Sequence, residues 1–549
     1  MKNKTKSFLS ILVFISILTV FANADITQPS RSVSGKPPNL YFLPLFFNNT
    51  EIKPSSTSYY MTTLNATLIY NLGCELGKSD LNLAGAQDSV AVLNFARPRC
   101  FEEGGFGANL FGFGPVTLSQ VNIAVRNFAS GYYTCTGADN DSNLVIGVGT
   151  SNNMGENYID PCLTNEQAQD HGAAWSGMVR DINQSLVNLG MFHQVQTFGA
   201  NNMELGWNTP DWTRAWISGF EQVSGNFYLN FGDAAGCPPF GSCGTRNYPQ
   251  WTMEDVWYIS YGAASALPLP LIFRTDGGNA KQWASLSRYS LSQHGYRINF
   301  TGVFTNWQAC QQRPSSCAGV DNTPEQAYQQ MIHELGKSPA TAQNLRWKTD
   351  IRWIMQSEIS GIAGSSSTDS ADTPHSLQTL SNEVSTALQQ PGLSPAMKNS
   401  LAAKQNTFQT MAEMAATSRE NPAAKDGLAP MVASSIDQQP FETGIIPNGE
   451  IPGRPYGIEI TTVWQAQTDQ GYLQIAGGSA PNQSQGGAIY IVLTAFDHST
   501  FQSEMILTPE ECGLLTIYEE GIQSIFLQSS EGCLFEFDVQ AWTLTTISD

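Results

Sequence analysis

Two carboxylates stand in this sequence just where β-prone segments end. Glu204 closes the segment 194–205, and Asn202 lies two positions before it. Asp233 follows the next β-prone segment, 227–232. Because side chains alternate between the two faces of a strand, Asn202 and Glu204 point to the same side. The spacing therefore predicts that Glu204 and Asp233 form a carboxyl pair carried by neighbouring strands.

A carboxyl pair with amides and aromatic rings around it suits the cleavage of a glycosidic bond. That reaction needs one carboxylic acid to protonate the leaving oxygen, a second carboxylate to attack or to activate water, and flat rings that stack on sugar. We assign the catalytic roles to Glu204 and Asp233. Further strand-end residues are assigned to substrate binding: Asn94, Asn202, Trp207, Asn230, Tyr261, Asp276 and Trp307.

Glu204 also has a structural interpretation that carries equal weight. A carboxylate at a strand end often caps the helix that follows or pairs with a nearby cation, and Arg214 lies in the next helical stretch. The sequence leaves both interpretations open.

The elements that position these residues alternate between β-prone and helical patterns. The β-prone segments are 90–95, 144–150, 194–205, 227–232, 256–262, 269–274, 299–305 and 345–353. Helical spacing of apolar residues marks 118–128, 173–189, 211–223, 280–293 and 324–335. The alternation predicts an α/β fold, an irregular (β/α)8 TIM-like barrel whose catalytic groups stand at the C-terminal strand ends. A doubly wound sheet fits less well, because its first strand more often leads into a glycine-rich phosphate turn.

Composition divides the chain into five parts. Residues 1–24 are expected to be a signal peptide, 25–88 an N-terminal extension packing on the barrel, 89–355 the barrel, 356–439 a helical linker rich in Ser, Ala and Gln, and 440–549 a small β-sandwich-like domain. The linker carries helical patterns at 377–389 and 395–418, and the last part carries seven short segments of alternating pattern.

The N-terminus has the pattern of a secretory signal. Three lysines among the first six residues precede the apolar run 8–21, which is followed by Ala22-Asn23-Ala24, a small-x-small cleavage site. We expect a secreted, extracellular protein that begins at Asp25. The apolar run is shorter than the roughly 20 residues that a membrane span needs, so no stable membrane insertion is expected.

The ten cysteines are even in number, which favours disulfides in an exported chain. Spacing suggests three local pairs: Cys237 with Cys243, Cys310 with Cys317, and Cys512 with Cys533. The other four are left for longer connections that the sequence does not resolve: Cys74, Cys100, Cys135 and Cys162.

Charge and composition narrow the choice of partners. The formal net charge is −20 and no basic run occurs, so nucleic acid and anionic lipid surfaces are unsuitable. The six histidines are scattered and no C-x-x-C occurs, so neither a metal nor another cofactor is expected. A polysaccharide or other glycan is the expected partner, and the oligomeric state stays open.

The strand-end motif resembles that of known barrel families. Asn202-Met203-Glu204 looks like the Asp-x-Glu motif of muramidase and chitinase families. About half the chain, residues 89–353, is similar to secreted, largely uncharacterised proteins with a glycoside-hydrolase-like barrel. The stretches that carry this likeness are Gly131-Tyr132-Tyr133-Thr134-Cys135, Ala200-Asn201-Asn202-Met203-Glu204, Tyr228-Leu229-Asn230-Phe231-Gly232 and Asp255-Val256-Trp257-Tyr258-Ile259-Ser260-Tyr261-Gly262-Ala263.

The resemblance implies a secreted glycoside-hydrolase-like protein that acts on cell-wall or extracellular polysaccharide. This chain departs from the motif at two positions: Asn202 replaces an aspartate, and Asn94 stands where such muramidases carry an acid. Each change removes a carboxylate from the site. The alternative is therefore a non-catalytic extracellular protein that binds glycan or a surface with a degenerate barrel.

Overall fold

Every residue that the computed structural model describes belongs to one compact unit within Glu51–Asp549. The expected signal peptide and its cleavage site lie outside the described residues. The described residues are 55–101, 104–111, 114–153, 162–238, 242–244, 250–313, 317–354, 376–425, 428–431, 443–447, 459–468, 471–480, 486–494, 501–509, 512–521 and 523–547.

Strands and helices alternate from residue 56 to residue 353. In chain order they are β1 (Ser56–Tyr60), α1 (Ala66–Asn82), β2 (Asp88–Asn94), β3 (Arg97–Cys100), β4 (Phe106–Leu110), β5 (Gly114–Thr117), α2 (Leu118–Cys135), β6 (Asn143–Ser151), α3 (Asn165–Asn188), β7 (Val195–Asn202), α4 (Pro210–Gln222), β8 (Tyr228–Asn230), α5 (Met253–Trp257) continued by a π-helical turn (Tyr258–Gly262), β9 (Ala266–Pro268), α6 (Gly278–His294), β10 (Gly302–Thr305), α7 (Trp307–Gln312), α8 (Pro324–Gly336) and β11 (Trp347–Trp353).

Eight of these strands form a parallel sheet in the order β10-β11-β1-β2-β6-β7-β8-β9. The sheet nearly closes on itself, because the segment after β9 reaches β10: the Phe304 amide donates to the Pro270 carbonyl at 2.9 Å, and the Ile272 amide donates to the Phe304 carbonyl at 2.9 Å. Helices cover its outside. The predicted TIM-like (β/α)8 barrel is confirmed, and β3, β4 and β5 form a separate small antiparallel sheet.

The first barrel strand is one that the sequence pattern did not reveal. Strand β1 pairs in parallel with both β11 and β2, so the barrel begins at Ser56 and not at residue 89. The Ser58 hydroxyl bonds to the Thr349 hydroxyl at 2.7 Å and accepts from the Val92 amide at 2.8 Å. These buried serine and threonine side chains bond to one another, which removes the hydrophobic alternation by which strands are recognised.

One predicted strand, 256–262, is wrong because this segment is helical. Thr252 and Asp255 form a capping box: the Thr252 hydroxyl accepts from the Asp255 amide at 3.2 Å, and the Asp255 carboxylate accepts from the Thr252 amide at 3.0 Å. Most of the segment is buried, so its apolar residues show no amphipathic period that would distinguish a helix from a strand.

The helices after the barrel are part of its core and do not form a free linker. Helix α9 (Ser376–Leu388) and helix α10 (Pro395–Glu420) are a hairpin whose apolar residues join the barrel's hydrophobic cluster, Leu380, Leu401, Phe408 and Met411 among them. Phe408 packs on Phe227 with ring centroids 4.4 Å apart. The predicted helices at 377–389 and 395–418 exist, but the Ser- and Ala-rich composition hid the face that docks.

The C-terminal part is all β, as predicted. Its strands are β12 (Gly444–Pro447), β13 (Ile460–Gln467), β14 (Tyr472–Ser479), β15 (Gly487–Thr494), β16 (Phe501–Leu507), β17 (Leu515–Glu520), β18 (Ser524–Ser529), β19 (Leu534–Asp538) and β20 (Thr543–Ile547). The first five form one antiparallel sheet and the last four another. Ile475 and Ile491 of the first sheet share a core with Leu527 and Phe537 of the second, which is sandwich packing.

All ten cysteines are paired. The three local disulfides predicted from spacing are present, and the two longer ones join Cys74 to Cys135 and Cys100 to Cys162. The first of these ties α1 to α2. Among the helices that the structure describes, none has the length and apolar character needed to span a bilayer.

Candidate active site

Strands β7 and β8 deliver Glu204 and Asp233 to the same end of the barrel. Asn201 pairs with Asn230 across the two strands, and each carboxylate lies three residues beyond this pair. The two strand-end segments then pack backbone against backbone at Gly232, where an added Cβ would lie 2.0 Å from the Met203 carbonyl oxygen. This register places both carboxyl groups at the C-terminal mouth.

The two carboxyl groups influence each other's ionisation. Burial raises the pKa of Glu204 from 4.5 to about 8, and the negative charge of Asp233 adds to the rise, while a hydrogen bond from Asn202 opposes it. Burial also raises the pKa of Asp233, to about 6, against the Ala235 amide and the charge of Arg274. At neutral pH Glu204 therefore holds its proton and Asp233 is the group that ionises first.

Asp276 forms an ion pair with Arg274 and does not contact the carboxyl pair directly. Its carboxylate binds Arg274 at two points, Oδ1 to Nε at 3.0 Å and Oδ2 to Nη2 at 2.5 Å, and it accepts from the Gly278 amide at 2.8 Å. These bonds lower the pKa of Asp276 to about 2. Both side chains of the ion pair are exposed, and the Arg274 charge in turn faces Asp233.

Asn202 and Trp207 lie next to Glu204, as the sequence predicts. The Asn202 amide nitrogen donates to Glu204 Oε1 at 3.4 Å, and its Oδ1 is buried with no hydrogen-bond partner among the described residues. Trp207 is half-buried, and its backbone amide donates to the Glu204 carbonyl at 3.1 Å. An acceptor is therefore available beside the acid, and the backbone of Trp207 is bonded to that of Glu204.

The structural interpretation of Glu204 is wrong. The cap of the following helix α4 is Thr209, whose hydroxyl accepts from the Trp212 amide at 3.2 Å. Arg214 binds Asp255, with Nη2 2.8 Å from Oδ1. The Glu204 carboxyl has neither of these two structural tasks.

Three aromatic residues at the mouth escaped the sequence analysis. Tyr60 ends β1 and Trp353 ends β11, and their rings stack with centroids 4.4 Å apart, while Phe111 contacts both rings edge-on. The Arg313 guanidinium lies 3.7 Å from the Trp353 ring centroid. Burial raises the pKa of Tyr60, and the charges of Glu204 and Asp350 raise it further, so this tyrosine lies within electrostatic reach of the acid.

Asn94 and Asn230 end their strands at the mouth, but the side chain of each already forms hydrogen bonds within the protein, including one from a nearby backbone amide. Asn94 Oδ1 accepts from the amide of Ala96, a residue in the left-handed region at φ 68°. Asn230 Oδ1 accepts from the Gly232 amide at 3.0 Å, and its nitrogen donates to the Ser260 hydroxyl at 3.0 Å. Both residues shape the turns that follow their strands.

Trp307 lies half-buried at the start of α7, just after β10. Its amide donates to Asp350 Oδ1 at 2.8 Å, and the Gln308 amide donates to Asp350 Oδ2 at 2.9 Å. Asp350 therefore serves as the cap of this short helix. Trp307 thus follows the C-terminal end of β10, the strand end at which the sequence predicts it.

Tyr261 is not at the mouth. It lies in the π-helical turn that precedes β9, which is the opposite end of the barrel, and it is buried against Lys404 of α10. The prediction followed from reading 256–262 as a strand, which would have placed Tyr261 at a C-terminal strand end.

No cluster of three metal-ligating side chains occurs within the described ranges. No family model matches the chain, and no curated protein matches it. Among solved structures, a carboxyl transferase domain of pyruvate carboxylase from Rhizobium etli, determined with pyruvate, matches at 9% identity and a TM-score of 0.21, over 84% of this chain and 89% of that one. A likeness this weak supports no inference about fold or function.

Fold and site together define a class: a disulfide-bonded (β/α)8 barrel protein with a carboxyl pair at the C-terminal mouth and a C-terminal β-sandwich. The site also contains Asn202 beside Glu204 and the Tyr60–Trp353 ring stack.

Proposed function

We propose that the protein is a secreted glycoside hydrolase that acts on cell-wall or extracellular polysaccharide. One observation carries the proposal: Glu204 and Asp233 leave adjacent strands in register, where burial raises both pKa values and the charge of Asp233 raises that of Glu204 further. Two carboxyl groups of unequal acidity are what acid catalysis of glycosidic cleavage requires.

In this reaction Glu204, protonated at neutral pH, gives its proton to the oxygen of the departing sugar. Ionised Asp233 attacks the anomeric carbon or takes a proton from the attacking water. Asn202 Oδ1 accepts a hydrogen bond from a substrate N–H or O–H, since this buried oxygen has no other partner in the described part of the chain. The rings of Trp207, Tyr60 and Trp353 offer apolar area to sugar faces.

The disulfides and the N-terminal sequence support an extracellular location. Five disulfides form and persist in an oxidising compartment and are unusual in the cytosol. The mass of the exported protein tests this: we expect a chain that starts at Asp25 with all cysteines oxidised. A secreted species that retains Met1 would contradict the signal-peptide proposal.

The decisive experiment offers the wild-type protein peptidoglycan, chitin and plant or bacterial glucans and measures reducing ends released. Glu204→Gln keeps the size of the side chain and removes the proton donor, so we expect release to fall by a factor of about 10² or more. Glu413→Gln is the matched control, because Glu413 is exposed on α10. Equal release by wild type and Glu204→Gln would overturn the proposal.

The second candidate is a barrel that binds glycan without cleaving it. The Tyr60–Trp353 stack favours this function, because aromatic rings hold a sugar whether or not it is cleaved. Retention of the same glycans by wild type and Glu204→Gln, with no reducing ends released by either protein, would identify binding as the function.

A further inference from the structure

The backbone ladder that holds Glu204's strand stops before it reaches Glu204. Strands β6 and β7 pair as far as Ser151 and Asn202, and one further bond runs from the Asn152 amide to the Asn202 carbonyl at 3.3 Å. Glu204 lies two residues beyond, where the pairing of the two backbones has ended. From this point on, a side chain forms the hydrogen bonds that the neighbouring backbone would otherwise form.

That side chain is the amide of Asn152, which binds both backbone groups of Glu204. Asn152 Oδ1 accepts from the Glu204 amide at 3.0 Å, and Asn152 Nδ2 donates to the Glu204 carbonyl at 3.1 Å. Asn152 has no solvent exposure. A primary amide carries its donor and acceptor as a peptide group does, so Asn152 continues the ladder by one step.

The Asn152 amide is itself held in place. Its Nδ2 also donates to the Thr213 hydroxyl of α4 at 3.2 Å, and the Asn152 carbonyl accepts from the side chain of Asn208 at 3.2 Å. The Asn208 carbonyl accepts from the Trp251 ring nitrogen at 2.9 Å. The side-chain amide of Asn152 is therefore oriented by Thr213 of α4, and its backbone is held by Asn208, which lies just before α4.

We propose that Asn152 is a positioning residue, which fixes the backbone of Glu204 and so holds its carboxyl group in place beside Asp233. The effect of Asn152 on turnover rests on the proposed function, whereas the effect of Asn152 on the Glu204 carboxyl group does not. The influences on the pKa of this carboxyl are, in order, its burial, the charge of Asp233 and the hydrogen bond from Asn202. If the backbone shifts, the carboxyl gains water and moves away from Asp233.

The same strand contains a matched control. Asn183 of α3 grips Thr197 of β7 in the same way, with Oδ1 accepting from the Thr197 amide at 2.9 Å and Nδ2 donating to the Thr197 carbonyl at 2.8 Å. Asn183 is buried as well, and Thr197 lies in the body of the strand, away from the mouth. Asn183→Ala therefore removes an equivalent amide clamp from the same strand without touching Glu204.

The test measures the titration of Glu204 by carbon NMR on full-length protein labelled at the glutamate side-chain carboxyl, with the resonance assigned from Glu204→Gln. We expect Asn152→Ala to lower the Glu204 midpoint by about one unit or more, because the carboxyl becomes better hydrated. Asn183→Ala should leave it unchanged at a comparable loss of stability. Thr213→Val, which removes only the hydroxyl that orients Asn152, should shift the midpoint in the same direction and by less.

Equal Glu204 midpoints in wild type, Asn152→Ala and Thr213→Val would overturn the proposal, and so would an equal shift in Asn183→Ala. If Asn152→Ala does not fold, Thr213→Val alone decides. On a substrate that wild type cleaves, Asn152→Ala should lower kcat by roughly 10² with little change in KM. A shifted midpoint in a protein that cleaves no substrate would refute the proposed function and leave the positioning role standing.

Discussion

A Cβ placed on Gly232 would lie 2.0 Å from the Met203 carbonyl oxygen and 2.5 Å from its carbon. Gly232 precedes Asp233, and Met203 precedes Glu204, so the closest approach of the two strand ends lies one residue before each carboxylate. The absence of a side chain at Gly232 allows the two segments to meet.

Gly232→Ala should therefore disturb the site as well as the fold. The backbone carbonyl of Met203 cannot move aside as a flexible side chain would, so we expect a loss of about 1–3 kcal/mol in the free energy of unfolding. The control is Gly177→Ala in α3, where an added Cβ meets nothing within 4 Å and should stabilise by about 0.5–1 kcal/mol. Urea unfolding measures both, and a neutral Gly232→Ala would contradict the close contact.

The charge of Asp233 is expected to raise the pKa of Glu204, and Asp233→Asn removes it. The Glu204 midpoint should then fall by about one unit but stay above 4.5, since burial, the larger cause, remains. Carbon NMR of the Glu204 carboxyl measures this midpoint. Asp276→Asn is the control, because Asp276 acts on Arg274 and does not contribute to the Glu204 shift. An unchanged midpoint in Asp233→Asn would show that the carboxyl groups do not interact.

Glu204 should also make stability depend on pH. Its pKa is raised in the folded protein, so its contribution is fully present below the unfolded value near 4.5 and is lost as pH rises through about 8. Glu204→Gln has no proton to lose, so its stability relative to wild type should increase from pH 5 to pH 9. Asp276, whose folded pKa is depressed, contributes stability that is lost only toward pH 2, so Asp276→Asn should show no such trend. Urea unfolding at three pH values checks both expectations, and a constant difference between Glu204→Gln and wild type would contradict the raised pKa.

The barrel was predictable from the sequence because most of its strands are apolar and most of its helices show a periodic apolar face. The prediction failed for a strand made of polar residues and for a helical segment made mostly of buried ones. Ser58 lies in a strand whose hydroxyl groups bond to their neighbours, and Ile259 lies in a helical segment, 256–262, most of whose residues are buried, so neither segment shows its true period. The Thr252-x-x-Asp255 capping box was a local signal that would have marked the helix.

The sequence predicted the position of a residue at the barrel mouth correctly where it also identified the strand that carries that residue. Glu204 and Asp233 follow β7 and β8 directly, and their mutual effect depends only on strand order. Tyr60 was missed because its strand was missed, and Asn152 because a buried amide gives no pattern in a single sequence. Trp353 was detectable as an aromatic residue at the end of a predicted strand.

The docked helical hairpin supplies the last prediction, through a lysine with no exposed surface. Lys404 Nζ donates to the carbonyls of Tyr261 and Ala263 at 2.9 and 2.5 Å, and to the Ser400 hydroxyl at 2.8 Å. These carbonyls end the π-helical turn, where backbone acceptors lack helical partners. Lys404→Met keeps the length and apolar stem of the side chain but removes the charged donor, leaving the two carbonyls with the longer bonds from the Ser400 hydroxyl and the Ala266 amide. We therefore expect a loss of about 1.5–3 kcal/mol in the free energy of unfolding. Lys398→Met, at an exposed position on α10, should change the free energy of unfolding by less than about 0.5 kcal/mol.

Native-state proteolysis should then cut α10 faster in Lys404→Met than in either wild type or Lys398→Met, because Lys404 anchors the helix to the barrel. Equal cleavage of all three proteins would mean that the hairpin is held by its apolar face alone.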